Sequence, residues 1–436
     1  MAEEAGGGLL AAYRLAGICA APFLPLLLSR RARQGKEDAA RLDERRGIAS
    51  RPRPGGFLVW VHAASVGETN AVLPLIGRLA AAGVTVLFTT VTVTSAQIAA
   101  ARLPQGAIHQ FSPLDVAPWI DRFLRHWQPD LALFVESELW PVTIMSLAER
   151  GVPQVLVNAR LSERSFGRWR RHESIARPLF ARLALCLAQS PLDAERYRAM
   201  GVRRVEVTGN LKFDAPLPAP DPEAVAALRQ SIGERPMWLA ASTHEGEEAI
   251  AAQVHRELAP AHPGLLTVIV PRHPERGPAI AEMLRQWGLA VALRGPGEPV
   301  SSGTDIYVAD TLGELGLFYR IAPVAFIGGS LVPRGGQNPI EPVRFECAVL
   351  HGPHVHNFAD IYAALDTSGS ETVADAEQLA AAVHRLLADP ARARNRVRAA
   401  AAALQPFSGA LDATFAALQP FLPGRAKGQP AAGTPS

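Results

Sequence analysis

From Phe57 onward, short apolar runs rich in Val, Leu and Ile alternate with Ala-rich segments of helical character. This alternation restricts the fold more than any other feature of the 436-residue chain. A first series of runs covers 57–63, 84–90, 131–135, 154–157, 183–188 and 205–207. Continuous apolar strands separated by helices belong to parallel sheets covered on both faces. The stretch 214–222 (DAPLPAPDP) is dense in proline and reads as an interdomain linker. Beyond it the alternation restarts at 237–241, 265–270, 291–293, 306–308, 324–327 and 348–350. The expectation is an α/β chain of two doubly wound, Rossmann-like domains, with the ligand cleft between them at the carboxyl ends of the strands. In residue numbers, an N-terminal segment at 1–40 precedes a first domain at 41–213, a linker at 214–223, a second domain at 224–423 and a disordered tail at 424–436.

Residues 9–28 (LLAAYRLAGICAAPFLPLLL) form an apolar run of about the length a bilayer needs, and no other stretch is long and apolar enough to span. Arg30, Arg31, Arg33 and Lys36 follow at once, whereas a cleaved signal peptide carries its positive charge before the apolar region. By the positive-inside rule, everything after Leu28 stays on the cytoplasmic side. A membrane-spanning anchor helix is the first reading. A helix lying in the interface is the second, because Arg14, Pro22 and Pro25 interrupt a clean span, and a buried core helix is the third. With 48% hydrophobic residues the remainder can bury a large core and is not of disordered composition. A net charge of only +3, without a Lys/Arg stripe interleaved with aromatics, points away from nucleic acid. Cys19, Cys186 and Cys347 lie far apart in apolar contexts, with neither metal-ligand spacing nor a disulfide framework.

The first run, VWVHAA, leads into Ser65-Val66-Gly67-Glu68 and then a helical segment. Gly67 permits a tight turn, which puts Glu68 at the helix start. Two readings stand for this carboxylate: a helix cap, or a general base at a strand end. The run LALFV ends in Glu136-Ser137-Glu138-Leu139-Trp140-Pro141. Acids two apart in an extended segment point the same way, and they diverge if a helix starts at Glu138. Near Glu68, their charge would raise its proton affinity. Trp140-Pro141 reads as a helix start. Asn158-Ala159-Arg160 and Thr208-Gly209-Asn210-Leu211-Lys212 also follow strand runs. Each brings a cation to the same sheet edge, where solvation and anion binding are the alternatives.

In the second half, Ala241-Ser242-Thr243-His244-Glu245 and Pro271-Arg272-His273-Pro274 each follow a strand run and open a helix. Helix starts of this kind offer backbone N–H groups to a phosphate, and an Arg adds a bidentate partner. Asp310-Thr311-Leu312-Gly313-Glu314 is another strand-to-helix turn, Gly328-Gly329-Ser330 follows AFI, and 334–341 is a Gly-rich loop into a helix. Each is weak alone, but several in one domain favour a nucleotide site, with Glu341 as a plain first-turn carboxylate the alternative. His273 has no second ligand at metal spacing. No Asp-x-Asp pair, G-x-G-x-x-G, P-loop or G-x-S-x-G motif occurs, which argues against dehydrogenases, P-loop enzymes and nucleophile-elbow hydrolases.

Taken together, the segments HAASVGET, ESELWP, NARLSERS, TGNLKFD, STHEGEE, PRHPER, DTLGEL, GGSLVPRGGQNPIEP and GPHVHNF closely resemble, in order, the 3-deoxy-D-manno-octulosonic acid (Kdo) transferases of lipid A assembly. The resemblance covers the chain from the N-terminal apolar segment to the last helices and leaves out only the tail. It implies a GT-B glycosyltransferase architecture with a membrane-anchor helix, an acceptor-binding first domain and a CMP-sugar-binding second domain. It also implies inverting, metal-independent transfer of Kdo from CMP-Kdo to a lipid A precursor (lipid IVA). The expected setting is the cytoplasmic face of a bacterial inner membrane, with no cofactor and no nucleic-acid partner. By motif position, Glu68 is implied as the proton acceptor, and Glu136 and Lys212 as transition-state stabilisers. Pro271, Arg272, Leu312, Gly313, Glu314, Asn338, Pro339, Ile340 and Glu341 are implied as the CMP-binding positions. The alternative is another GT-B enzyme acting on a UDP-sugar, either a transferase or a 2-epimerase. A non-catalytic membrane-bound nucleotide-sugar-binding protein stands behind that.

Overall fold

A computed structural model of the chain describes residues 2–214, 217, 220–367 and 369–424. It divides into two compact units: Met1–Pro216 with Phe407–Ser436, and Leu217–Pro406. Part of the expected linker (215, 216, 218 and 219) and nearly all of the expected tail fall outside the described residues.

Among the described residues, the first unit is built on seven parallel strands: β1 (Leu58–His62), β2 (Thr85–Thr90), β3 (Ile108–Phe111), β4 (Leu131–Val135), β5 (Gln154–Ala159), β6 (Leu185–Ala188) and β7 (Val205–Val207). Their order is β3-β2-β1-β4-β5-β6-β7. β1 and β4 are buried at every position and pair with each other at the centre. Alternation then sorts their side chains between two apolar layers. Val59, Val61, Leu131, Leu133 and Val135 pack with the helix Val66–Ala81. Leu58, Trp60, Ala132 and Phe134 pack with the helices Ala117–Trp127 and Pro141–Glu149. Each of the Val, Leu and Phe side chains among these, fully buried, contributes about 1.5–3 kcal/mol.

The second unit repeats the plan with β8 (Met237–Thr243), β9 (Leu266–Pro271), β10 (Val291–Leu293), β11 (Ile306–Val308), β12 (Val324–Ile327), β13 (Ala348–His351) and β14 (Ser370–Thr372). These are ordered β10-β11-β9-β8-β12-β13-β14 and again parallel. In each sheet the winding reverses beside the first strand, between β1 and β4 and between β8 and β12. That reversal parts the loops at the carboxyl edge and makes room for a ligand.

The two ends of the chain depart from expectation. The second domain, expected to run to 423, ends earlier, because the chain returns to the first unit at Phe407. The helix Ala410–Leu418 buries Ala410, Thr414 and Leu418, one face at a spacing of four. Ala410 and Leu418 join the cluster of Val72 and Leu75. The Asp214 carboxylate accepts from the N–H groups of Gly409 (2.9 Å) and Leu411 (2.6 Å), and Arg78 pairs with Asp412.

At the N-terminus the single anchor helix expected over 9–28 is replaced by two helices, Ala2–Ala20 and Leu24–Arg33. Among the described residues no single helix is long and apolar enough to cross a membrane, and the apolar pair is bent by 66°. Pro22 lies in the break and Pro25 in the first turn of the second helix, where a missing N–H is tolerated. Leu10 is buried in the first unit's core, Tyr13 Oη donates to Asp115 (3.4 Å), and Arg14 pairs with Glu149 (3.2 Å). Leu9, Leu15, Ile18, Phe23, Leu26 and Leu27 are exposed.

Candidate active site

Glu68 is placed by the turn that leaves β1. Ser65 caps the helix Val66–Ala81, its Oγ accepting from the Glu68 N–H at 3.3 Å. The Glu68 carboxylate in turn accepts from Ser65 Oγ (2.7 Å) and from the Ala64 N–H (2.8 Å). This is a close relative of the capping box, so the capping reading of Glu68 holds. The side chain is nevertheless only 8% exposed, at the winding reversal of the sheet. Burial raises its proton affinity above that of an ordinary carboxylate, against the opposing effect of the Ser65 and Ala64 hydrogen bonds. The charges of Glu136 and Glu138 push in the same direction as burial.

β4, on the other side of the reversal, delivers those two acids. Glu136 takes a left-handed φ of 58°, a strained state for a residue with a side chain. The chain therefore leaves the strand line at once and the two carboxylates diverge, although no helix starts at Glu138. The helix begins at Pro141, with Trp140 as its cap residue. Glu136 Oε1 lies 2.6 Å from Lys212 Nζ. Glu138 Oε2 accepts from Trp140 Nε1 (2.9 Å) and lies 3.8 Å from His62 Nε2. Burial alone would raise the Glu138 carboxyl, but the nearby His62 and the Trp140 N–H outweigh it and hold it low.

Lys212 is held by a turn that Asn158 and Asn210 build. Asn158, fully buried at a φ of 53° near the end of β5, accepts from the Leu211 N–H through Oδ1 (2.9 Å). Asn210 accepts from the Lys212 N–H (3.0 Å). Asn158 is thus committed to the backbone, while Arg160 is exposed. The structure brings Glu136 and Lys212 into contact and sets Glu138 against His62. Sequence reasoning missed His62, whose position inside the apolar VWVHAA run was the available signal.

In the second unit, the carboxyl end of β8 meets that of β12. The Glu247 carboxylate is 1% exposed. It accepts from the N–H groups of His244 (2.9 Å), Gly329 (2.7 Å), Ser330 (3.1 Å) and Leu331 (3.1 Å). The Gly329 and Ser330 N–H groups of the Gly328-Gly329-Ser330 turn are therefore bonded to Glu247, and the Gly328 N–H to the Ala241 carbonyl. Gly328 packs so tightly that a Cβ there would lie 2.5 Å from the Ser242 carbonyl oxygen. Glu248, also buried, accepts from Arg276 (2.8 Å) and Thr243 (3.0 Å). Both acids went unrecognised, because three carboxylates in His244-Glu245-Gly246-Glu247-Glu248 look alike until the fold turns two of them inward.

Of the positions implied as CMP-binding, Arg272 is exposed and Pro271 ends β9. Burial lowers the proton affinity of His244, and the charges of Arg334, His273 and Arg272 lower it further, so a cationic group gathers at this edge. Gln337 Nε2 approaches His244 Nε2 at 3.3 Å and leads into Asn338, whose Nδ2 donates to Glu341 Oε1 (3.2 Å). Asn338 Oδ1 accepts from the Ile340 N–H at 3.0 Å, and Pro339 is buried between them in sequence. Burial raises the Glu341 carboxyl. Leu312, Gly313 and Glu314 form a separate group. Leu312 is 84% exposed, Gly313 has a φ of 83°, and Glu314 is gripped by Arg294 through two 2.6 Å contacts and by Thr311. The Arg294 bonds come first in holding the Glu314 carboxyl below the usual carboxylate range. Among the described residues, no group of three or more His, Cys, Asp or Glu is placed to hold a metal ion.

Two parallel, doubly wound sheets with polar and charged residues gathered at each winding reversal make up the GT-B fold. A glycosyltransferase from Rickettsia africae ESF-5 shares the fold, with a TM-score of 0.58 at 12% identity over 84% of this chain and 99% of that one. Residues 40–215 match the family model described as 3-Deoxy-D-manno-octulosonic-acid transferase (kdotransferase). The probable mitochondrial 3-deoxy-D-manno-octulosonic acid transferase of Arabidopsis thaliana is 37% identical over 398 residues, 87% of this chain and 88% of its own. The 3-deoxy-D-manno-octulosonic acid transferase of Bordetella pertussis is 36% identical over 429 residues, 94% of this chain and 99% of its own. The chain belongs to the 3-deoxy-D-manno-octulosonic acid transferase family.

Proposed function

We propose that the chain transfers Kdo from CMP-Kdo to the lipid A precursor lipid IVA, with inversion and without a metal, and that Glu68 is the general base. The observation that carries this is a buried carboxylate at the sheet's winding reversal, its proton affinity raised by burial, in a chain of this family. Glu68 takes the proton of a glucosamine hydroxyl. The hydroxyl oxygen bonds to the anomeric carbon of Kdo opposite the leaving group, and the bond to the CMP phosphate breaks with its electron pair leaving on CMP. Glu136 and Lys212, paired at 2.6 Å, are the groups that stabilise charge as it develops.

On the donor side, Arg272 with His244, His273 and Arg334 supports binding of a singly phosphorylated leaving group. By resemblance, Pro271, Leu312, Gly313, Glu314, Asn338, Pro339, Ile340 and Glu341 complete the CMP site. The exposed Leu, Ile and Phe side chains on the bent N-terminal helices, followed by Arg30, Arg31 and Arg33, support a seat in the membrane interface rather than a straight span. The seat is the cytoplasmic face of a bacterial inner membrane, where the acceptor's acyl chains remain. Incubation with CMP-Kdo and tetraacylated lipid A precursor, read by product mass, tests donor and acceptor together. We expect Kdo addition that EDTA does not inhibit. Product from a UDP-sugar, with none from CMP-Kdo, would overturn the reading.

A further inference from the structure

The Gly-rich loop that leads from β12 to the helix Ile340–Arg344 needs support for its backbone. Gly335 and Gly336 are both left-handed, with φ of 90° and 73°. Adjacent glycines give up more backbone freedom on ordering than any other pair, so on their own they would leave the loop without a fixed course.

The support comes from the segment that follows β13. Asn357 donates its backbone N–H to the Gly335 carbonyl at 2.9 Å. Its Nδ2 donates to the carbonyls of Arg334 (3.0 Å) and Gly336 (3.2 Å). Two carbonyl acceptors can be met only by the amide NH2, which settles how the side chain is turned. Tyr362 Oη, from the helix Ala359–Leu365, donates to the Gln337 carbonyl at 2.8 Å. Four consecutive carbonyls, 334 to 337, are thereby bonded to one short segment. The N–H groups of Gly336 and Gln337 tie the loop elsewhere, to the carbonyls of Gly329 (2.8 Å) and Gly328 (3.2 Å). The fit is close: a Cβ at Gly335 would lie 2.6 Å from Asn357 Nδ2 and 2.6 Å from His356 Nε2.

The side chains on this loop show what the support serves. Arg334 leaves the loop beside Gly329, where a Cβ would lie 3.4 Å from Arg334 Cβ and 3.1 Å from the His244 ring. Arg334 and His244 thus flank the same glycine, and the Arg334 charge helps lower the proton affinity of His244. Gln337 Nε2 reaches His244 Nε2 from the same loop at 3.3 Å. Arg334 is exposed and pairs with no acid among the described residues, which leaves its guanidinium for an anion. We propose that Asn357, assisted by Tyr362, is a positioning residue for the donor site: it fixes the Gly-rich loop so that Arg334 stands beside His244 to receive the phosphate of the leaving group. The effect of Asn357 on the donor passes through Arg334. This rests on the transferase reading given above.

A double-mutant cycle on CMP binding to the full chain in detergent, read by calorimetry, tests it. Arg334→Gln removes a hydrogen bond to a charged phosphate and should weaken CMP roughly ten-fold. Asn357→Ala removes both Nδ2 bonds and should weaken CMP by up to the same factor. The two together should be no weaker than Arg334→Gln alone, because residues that act through one contact are not additive. In the CMP-free protein, NMR titration should show His244 holding its proton to higher pH in either variant, since the Arg334 charge is withdrawn. Should Asn357→Ala not fold, Tyr362→Phe removes only the hydroxyl that holds Gln337 and takes its place in the cycle. Unchanged CMP affinity in either folded single variant overturns the inference. So does a double variant that loses the product of the two single factors, which would show the residues acting independently. If the parent binds UDP and not CMP, the cycle is run on UDP, and non-additive losses there sustain the inference and refute the CMP donor assignment.

Discussion

Glu247→Gln is a one-atom change whose cost follows from the geometry of the loop that joins β12 to the Gly-rich segment. One carboxylate oxygen accepts from His244 and Gly329, the other from Ser330 and Leu331. An amide keeps one acceptor oxygen and turns an NH2 group toward the other two N–H groups, so two hydrogen bonds to a charged acceptor are lost. At roughly 1.5–3 kcal/mol each, that is about 3–6 kcal/mol. Burial disfavours the native carboxylate and raises its proton affinity, a penalty that a neutral amide escapes, so the lower end applies. A loss of about 3 kcal/mol is a large share of the roughly 5–15 kcal/mol that holds a domain folded. Hydrogen exchange of the Gly329, Ser330 and Leu331 amides reads the effect locally. About a hundred-fold faster exchange is expected, together with weakened CMP binding from loss of the ordered loop. Unchanged protection at these amides, with stability within about 0.5 kcal/mol of the parent, would refute the assignment of Glu247 as the loop's anchor.

Two further perturbations follow from the same reasoning. Arg294→Gln removes the partner that depresses the Glu314 carboxyl. A depressed carboxylate contributes stability above its unfolded pKa, roughly 4.3, and loses it as pH falls through the folded value. The partly exposed pair is worth about 1 kcal/mol or less at pH 7, and the stabilities of variant and parent by urea titration should converge as pH falls below the ordinary carboxylate value. Phe23→Glu combined with Leu26→Glu alters side chains that are 74% and 73% exposed. Co-sedimentation with anionic lipid vesicles should fall while the melting temperature stays put, and retained vesicle binding would show that these helices do not seat the protein.

The apolar runs revealed the central strands because β1 and β4 are covered on both faces and carry no polar residue before His62. β3 was not legible for the opposite reason. It is an edge strand reading Ile-His-Gln-Phe, and the partners its polar residues have come from distant parts of the chain, with Gln110 Nε2 left unpartnered among the described residues. Gln110 accepts from Trp127 Nε1 (2.9 Å), His109 meets Arg41 (3.1 Å), and Glu44 accepts from the Phe111 N–H (2.7 Å). β14, Ser370–Thr372, is a short edge strand of the same kind. Glu68 and Trp140-Pro141 were readable because their turn chemistry is local. The divergence of Glu136 and Glu138 depends on a left-handed residue that no propensity signals. The return of the helix Ala410–Leu418 to the first unit depends on contacts with Arg78 and Asp214, far away in sequence.

The role of Glu68 is tested most directly by its Gln variant, which keeps an acceptor oxygen for the turn and removes the base. Single-turnover transfer from CMP-Kdo to the tetraacylated acceptor should fall by roughly 10²–10⁴, with CMP-Kdo affinity little changed. In the parent, protonation silences the base. Because burial raises its proton affinity, the rate should decline on acidification at a pH above that of an ordinary Glu, roughly 4.3. A Gln variant that transfers Kdo at close to the parent rate would contradict the account.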